Sequence, residues 1–291
     1  DAATTATELT AIGYSALGSC TEGLSNTAVG EGSFGTLTDG DHNCGLGGYA
    51  GYGTTGSRNT YLGHYAGVYA SSTDDCIAIG KSALAGVTGD RVTGNANIAI
   101  GNYSLDAVTS ATQNTAIGWS SLTSLTDQSY NTAVGYQCGS NVVGESNVLI
   151  GRQTAHDAGD IDHCIAIGRG ALQGDGTTLV TGNNNIAIGS YALDATTTGY
   201  SNTAVGRDAL TLLTEGIANI AIGQGALDAI TDEDHNVAVG YEALSTETSG
   251  ASGCTAVGNY ALQDQNVASA NNVAVGYKSA YNLTTGTDSV Y

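Results

Sequence analysis

The 291-residue chain has no proline, no methionine, one tryptophan, one phenylalanine and only seven basic residues against twenty-seven acidic ones. Its net charge of −20 argues against nucleic acid or an anionic membrane as a partner. No apolar run approaches the ~20 residues of a membrane-spanning helix, so direct membrane insertion is not expected. No signal peptide is read at the start, and the lack of methionine is expected of a processed chain or a cut segment. Cys-x-x-Cys pairs are absent, which removes the usual zinc frameworks. There is no Gly-x-Ser-x-Gly elbow and no P-loop, and the spacing of the repeated glycine is not that of a dinucleotide fingerprint. These absences favour a non-enzymatic role. A glycosidase pair of carboxylates could assemble across loops, but nothing singles one out.

What the chain has in abundance is a glycine that returns sixteen times, from Gly13 to Gly276, at gaps of 16 to 18 residues and twice 21. A repeat over nearly the whole chain decides the architecture before any local pattern does. A glycine at the same point of every unit marks a bend that a side chain would obstruct. Immediately before it stands Val, Ile or Leu. Two before it is Ala in thirteen units, and three before it is Thr, Ile or Val in fifteen. Four before it is Asn in twelve units, including Asn97, Asn114, Asn131, Asn202, Asn219 and Asn236. Three after it is always a small residue, and four after it is Leu in ten units.

The β-branched residues and the period of two read as a short strand, not a helix. Each unit is too short to close its own core, so units must stack. The expected fold is all-β: a parallel β-roll or β-solenoid of about sixteen coils, one domain centred on Gly13 to Gly276, with 277–291 as a terminal segment. At ~4.8 Å per rung, sixteen coils would make a rod of roughly 75 Å. Stacked Asn side chains can form an amide ladder at a buried corner, or simply tolerate a turn. Ala suits a narrow interior, which leaves a stripe of Thr, Val and Ile outside. Packing with sister copies would cover that stripe; the competing arrangement is a monomer with the aliphatic side chains inside.

The two 21-residue gaps carry extra segments around Asp90 and Thr177, 88 residues apart, which suggests a duplicated block. Cys76, Cys164 and Cys254 share the Asn slot but lie about five coils apart. They cannot pair with one another, and mostly buried free thiols are expected.

Two sets of side chains are candidates for binding. Asp39, Asp41 and His42 recur as Asp160, Asp162 and His163 and as Asp232, Asp234 and His235. Closely spaced carboxylates suit Ca²⁺, the one cofactor the sequence raises; the bland alternative is a solvated turn capped by Asp. The column directly after the glycine holds Tyr14, Trp119, Tyr136, Tyr241 and Tyr277, with Arg152, Arg169 and Arg207. Such residues could stack on sugars or cover coil edges.

Units such as Asn97-Ile-Ala-Ile-Gly101-Asn-Tyr-Ser-Leu105 and Asn202-Thr-Ala-Val-Gly206-Arg-Asp-Ala-Leu210 resemble repeats of trimeric autotransporter adhesin heads and of phage tail-fibre proteins. The resemblance implies a left-handed, homotrimeric β-roll on an extracellular or virion surface. Its function would be that of a structural fibre segment contributing to attachment and host recognition through a cell-surface glycan or protein receptor. A viral tail fibre is the first expectation, and a cellular adhesin or self-assembling extracellular filament the alternative. An ice-binding solenoid and a glycan-degrading spike rank below them.

Overall fold

A computed structural model describes residues 5–87, 91–174, 176–246, 252–264, 271–283 and 286–291. The chain divides into two compact units, residues 1–145 and 146–291. Among the described residues, the first holds eight three-residue strands from Thr10–Ile12 to Thr132–Val134, and the second holds eight from Val148–Ile150 to Val273–Val275. Within each unit consecutive strands pair in parallel and in chain order, so each unit is a stretch of parallel β-solenoid. The register follows the sequence repeat: Ile186 faces Thr203, Ala187 faces Ala204 and Ile188 faces Val205. The terminal segment continues the pattern, since Val290 bridges to Val273 as a further parallel rung.

The middle residue of each strand points inward. From Ala28 to Ala274 the Ala column is fully buried, and the Leu column four after the glycine packs beside it. Where one column departs from its usual size, the other compensates. Tyr61 replaces the inward Ala and Phe34 replaces the Leu, both fully buried with ring centroids 5.8 Å apart. Glycines make room for them. A Cβ on Gly51 would lie 2.7 Å from Tyr61 Cδ2 and closer still to Phe34 Cε1, and one on Gly67 would lie 2.8 Å from Tyr61 Cζ. The Tyr61 hydroxyl shares a hydrogen bond with Thr73 Oγ1 at 2.9 Å, so its polar end is not stranded in the core.

The repeated glycine is required twice over. Its φ lies between 128° and 148° in all sixteen coils, a region closed to other residues without strain. A Cβ on Gly47 would also lie 2.6 Å from the Gly63 carbonyl oxygen of the next coil. Three more positions per coil are left-handed: five before the glycine, two after it and four after it. The non-glycine residues there have φ between 46° and 67°. Inter-coil hydrogen bonds hold these corners. Tyr49 N–H donates to Glu31 O at 2.7 Å, and Leu17 N–H donates to Ser33 O at 3.0 Å. Bonding from coil to coil therefore runs through the corners as well as the strands, which is how so many left-handed residues persist.

The longer gaps are absorbed without loss of register. Ala70 bridges Val92 in the first unit, and Ala158 bridges Val180 in the second, each 88 residues on. Asp90 itself lies outside the described residues. Cys76, Cys138, Cys164 and Cys254 are buried, Cys20 is half-buried and Cys44 is exposed.

Candidate functional site

The Asn column forms a ladder with every amide group engaged. Asn202 Nδ2 donates to the turn carbonyl of Gly216 at 2.8 Å and to Asn185 Oδ1 at 3.3 Å. Its own Oδ1 accepts the backbone N–H of Asn219 at 2.9 Å and Nδ2 of Asn219 at 3.2 Å. Asn114 joins Asn97 and Asn131 in the same way, and Asn236 N–H donates to Asn219 Oδ1. The column is therefore more than a tolerant turn residue; it ties coil to coil at a buried corner. Where cysteine takes the slot it keeps part of the pattern. Cys164 N–H donates to Asn147 Oδ1 at 2.9 Å, and Cys164 Sγ accepts the Asn185 N–H at 3.4 Å. Burial pushes the Cys76 and Cys164 thiols up to about 11.

Opposite the buried Ala, the two outer positions of each strand form paired columns of Thr, Val and Ile. They are half-covered only by their own neighbours: Ile117 is 36 % exposed, Ile150 39 % and Ile222 41 %. A partly exposed face of mostly β-branched side chains runs along each unit, with little charge on it.

The Asp-His loops are inter-coil caps. Asp41 Oδ1 accepts the Leu24 N–H of the preceding coil at 2.7 Å, and Asp234 Oδ1 accepts that of Ile217 at 2.7 Å. Asp162 N–H donates to Asn183 Oδ1 at 2.8 Å. Asp39 and Asp232 accept from the hydroxyls of Thr38 and Thr231, and Asp160 is exposed. His42, His163 and His235 occupy the left-handed position before the Asn slot, with exposed side chains. Among the described residues, no group of three or more His, Cys, Asp or Glu side chains converges as a cation site.

The candidate residues of the column after the glycine are exposed, except for the half-buried Tyr241, and do not form one site. Trp119 and Tyr136 stack with centroids 5.2 Å apart. Tyr241 and Tyr277 each meet Tyr260 edge-on, while Tyr14 is 81 % exposed. Arg169 lies 5.2 Å over the Tyr191 ring, Arg207 sits 3.4 Å from Asp208, and Arg152 is exposed.

Two columns escaped the sequence reading. A threonine ladder runs along the second corner of several coils: Thr109 donates its hydroxyl to Thr126 O at 3.1 Å, Thr197 to Thr214 O at 3.1 Å and Thr214 to Thr231 O at 3.0 Å. The irregular distance of this column from the glycine, across the two insertions, hid it. The second is the position two after the glycine, which holds Tyr49, Tyr65, Tyr103, Tyr191 and Tyr260. Tyr49 and Tyr65 stack at 5.5 Å. The next coil has Ser82 in that column, and a cavity of about 330 Å³ opens there, lined by Tyr65, Tyr69, Ser82, Gly86, Tyr103 and Asp106. Burial pushes the half-buried Asp106 carboxyl up to about 6.

No protein-family model matches the chain, and no curated protein or solved structure matches it either.

Proposed function

We propose that this chain is a structural segment of a surface fibre, of the tail-fibre kind, which trimerises through the outer aliphatic columns of its strands and contributes to attachment at an extracellular or virion surface. The observation that carries the reading is the pair of outward columns, Thr, Val or Ile on every described strand except for Cys44, Leu46 and Leu62. Burying an apolar surface yields about 25 cal/mol per Å², and a stripe renewed on every rung accumulates that gain without any single strong contact. The small, flat, β-branched side chains suit packing of sheet face on sheet face. The acidic surface elsewhere keeps such a particle soluble and directs association to the uncharged face. The reading gives the chain no catalytic role.

The double variant Ile100→Asp, Ile117→Asp places charge on two adjacent rungs of that face without touching the inward Ala column. It is expected to convert the assembly to single chains that retain a β-type far-UV spectrum. An assembly of unchanged mass would contradict the assignment of this face.

A further inference from the structure

From the cleft between the Gly63 and Gly101 coils we infer that the first unit carries a saccharide-binding site, in which a sugar ring stacks on Tyr65 and its hydroxyls bond to Asp106 and Ser82. The cleft arises from a change of size along two columns. The Gly63 coil presents Tyr65 and Tyr69, and the Gly101 coil presents Tyr103 and Asp106. Between them the Gly80 coil presents only Ser82, Ala85 and Gly86. Tyr49 already covers one face of Tyr65, with the rings inclined by 25°. In the next coil the same column holds Ser82, which is too small to stack on Tyr65; the His64 ring leans against Tyr65 at 3.9 Å, tilted by 54°, and Tyr65 stays 38 % exposed. A second depression of about 260 Å³ shares Val68 and Tyr69 with the first and adds Tyr52 and Arg91, which extends the strip for a linear ligand.

The chemistry of the walls selects the ligand class. Phenol faces favour the C–H face of a ring. A half-buried carboxylate and a hydroxyl favour a ligand that brings several hydroxyl groups, because displacing their water without replacing its bonds loses affinity. An anionic ligand meets a chain of net charge −20 with Asp106 in the cleft. A cation over Tyr103 would compete with Lys81, whose ammonium lies 5.4 Å from that ring centroid. A neutral oligosaccharide satisfies all three conditions.

The duplicated block supplies an internal comparison. Eighty-eight residues on, the Lys81–Tyr103–Asp106 wall returns as Arg169–Tyr191–Asp194, with Arg169 5.2 Å over Tyr191. The opposite wall does not return: Gln153 and Asp157 replace Tyr65 and Tyr69. Of the two copies of this wall, only the one in the first unit faces a tyrosine platform. The inference gives the attachment reading a ligand class; the cleft itself does not depend on trimerisation.

Saturation-transfer NMR on the full chain, with maltohexaose, cellohexaose and chitohexaose as separate probes, tests the site. Transfer to ring C–H protons of at least one probe is expected. It should fall about ten-fold or more in Tyr65→Ala and in Ser82→Tyr. Ser82 already has a φ of 54° in the column where Tyr49, Tyr65 and Tyr103 sit, so a tyrosine there fits the backbone and closes the cleft by completing the stack. No transfer to any of the three probes at millimolar concentration, or transfer undiminished in Ser82→Tyr, would overturn the proposal. Light scattering on the same samples separates it from the assembly reading: binding by single chains refutes trimerisation only, and trimers that bind no probe refute the saccharide site only.

Discussion

Asn43 reaches back one coil to Asn26, donating both its backbone N–H, at 2.9 Å, and its side-chain Nδ2, at 3.1 Å, to the same Oδ1. One oxygen therefore joins two rungs, and the pattern repeats along the column. Neither residue has solvent to fall back on. Asn202→Leu, which removes the amide from the ladder, should cost about 2–4 kcal/mol by leaving the Asn219 N–H and the Gly216 carbonyl unpaired in the interior. Asn202→Cys should cost less, because the chain itself uses Cys in this slot at three coils. Chemical denaturation of the two variants measures the difference; equal losses would mean that the slot is filled by size alone.

The glycine column gives a sharper test. Gly168→Ala puts a methyl 2.6 Å from the Gly189 carbonyl oxygen at a φ of 135°. Neither the backbone nor the neighbouring coil can yield, since both are hydrogen-bonded into the stack. A loss of more than about 3 kcal/mol is expected. A melting temperature within a degree of the parent would show that the coils can slide apart locally.

Much of this was legible in the sequence. Thirteen inward Ala residues and sixteen bend glycines specify strand, face and register together, because their period is fixed by the rung itself. The left-handed corners were not legible. Leu84, Leu105 and Leu122 stand at φ of 51°, 48° and 53°, against the preference of any branched residue. Their conformation is imposed by hydrogen bonds to the next coil, such as Leu105 N–H to Ser121 O at 3.0 Å, and by complete burial of the side chain. No local signal reports a partner sixteen or twenty residues away. The tyrosine cleft was hidden for a related reason: the rings lie one position beyond the column that drew attention, and the cleft depends on what the intervening coil lacks.

Thr196 occupies a core column that holds Leu213 and Ile230 in the following coils, and its buried hydroxyl has no hydrogen-bond partner among the described residues. Thr196→Val keeps the shape and removes the unpaired group. A gain of about 1 kcal/mol is expected, seen as a melting temperature higher by a few degrees. A loss of stability would show that the hydroxyl is bonded in solution.

Stability should also rise on mild acidification. Burial pushes the carboxyls of Asp106, Asp194 and Asp228 up to about 6, helped at Asp194 by Asp208 and at Asp228 by Glu242 and Asp208. An acid whose folded pKa exceeds its unfolded value holds its proton more tightly in the native state. Stability therefore increases as the pH falls from about 6 towards 4, and no longer changes on this account below both values. Each group is about half exposed, so solvent screening keeps its share small. The triple variant to Asn should melt higher at pH 7.5 and lose that gain progressively as the pH falls from about 6 to 4. An unchanged slope would place the pH dependence in the general acidic surface.

The outer Thr/Val/Ile columns remain the point on which the assembly reading depends. Size-exclusion chromatography with multi-angle light scattering on the wild-type chain tests it most directly. The account predicts a molar mass three times the 29.0 kDa of the chain, independent of dilution over the micromolar range. A stable 29.0 kDa species at those concentrations, with its β spectrum intact, would contradict it.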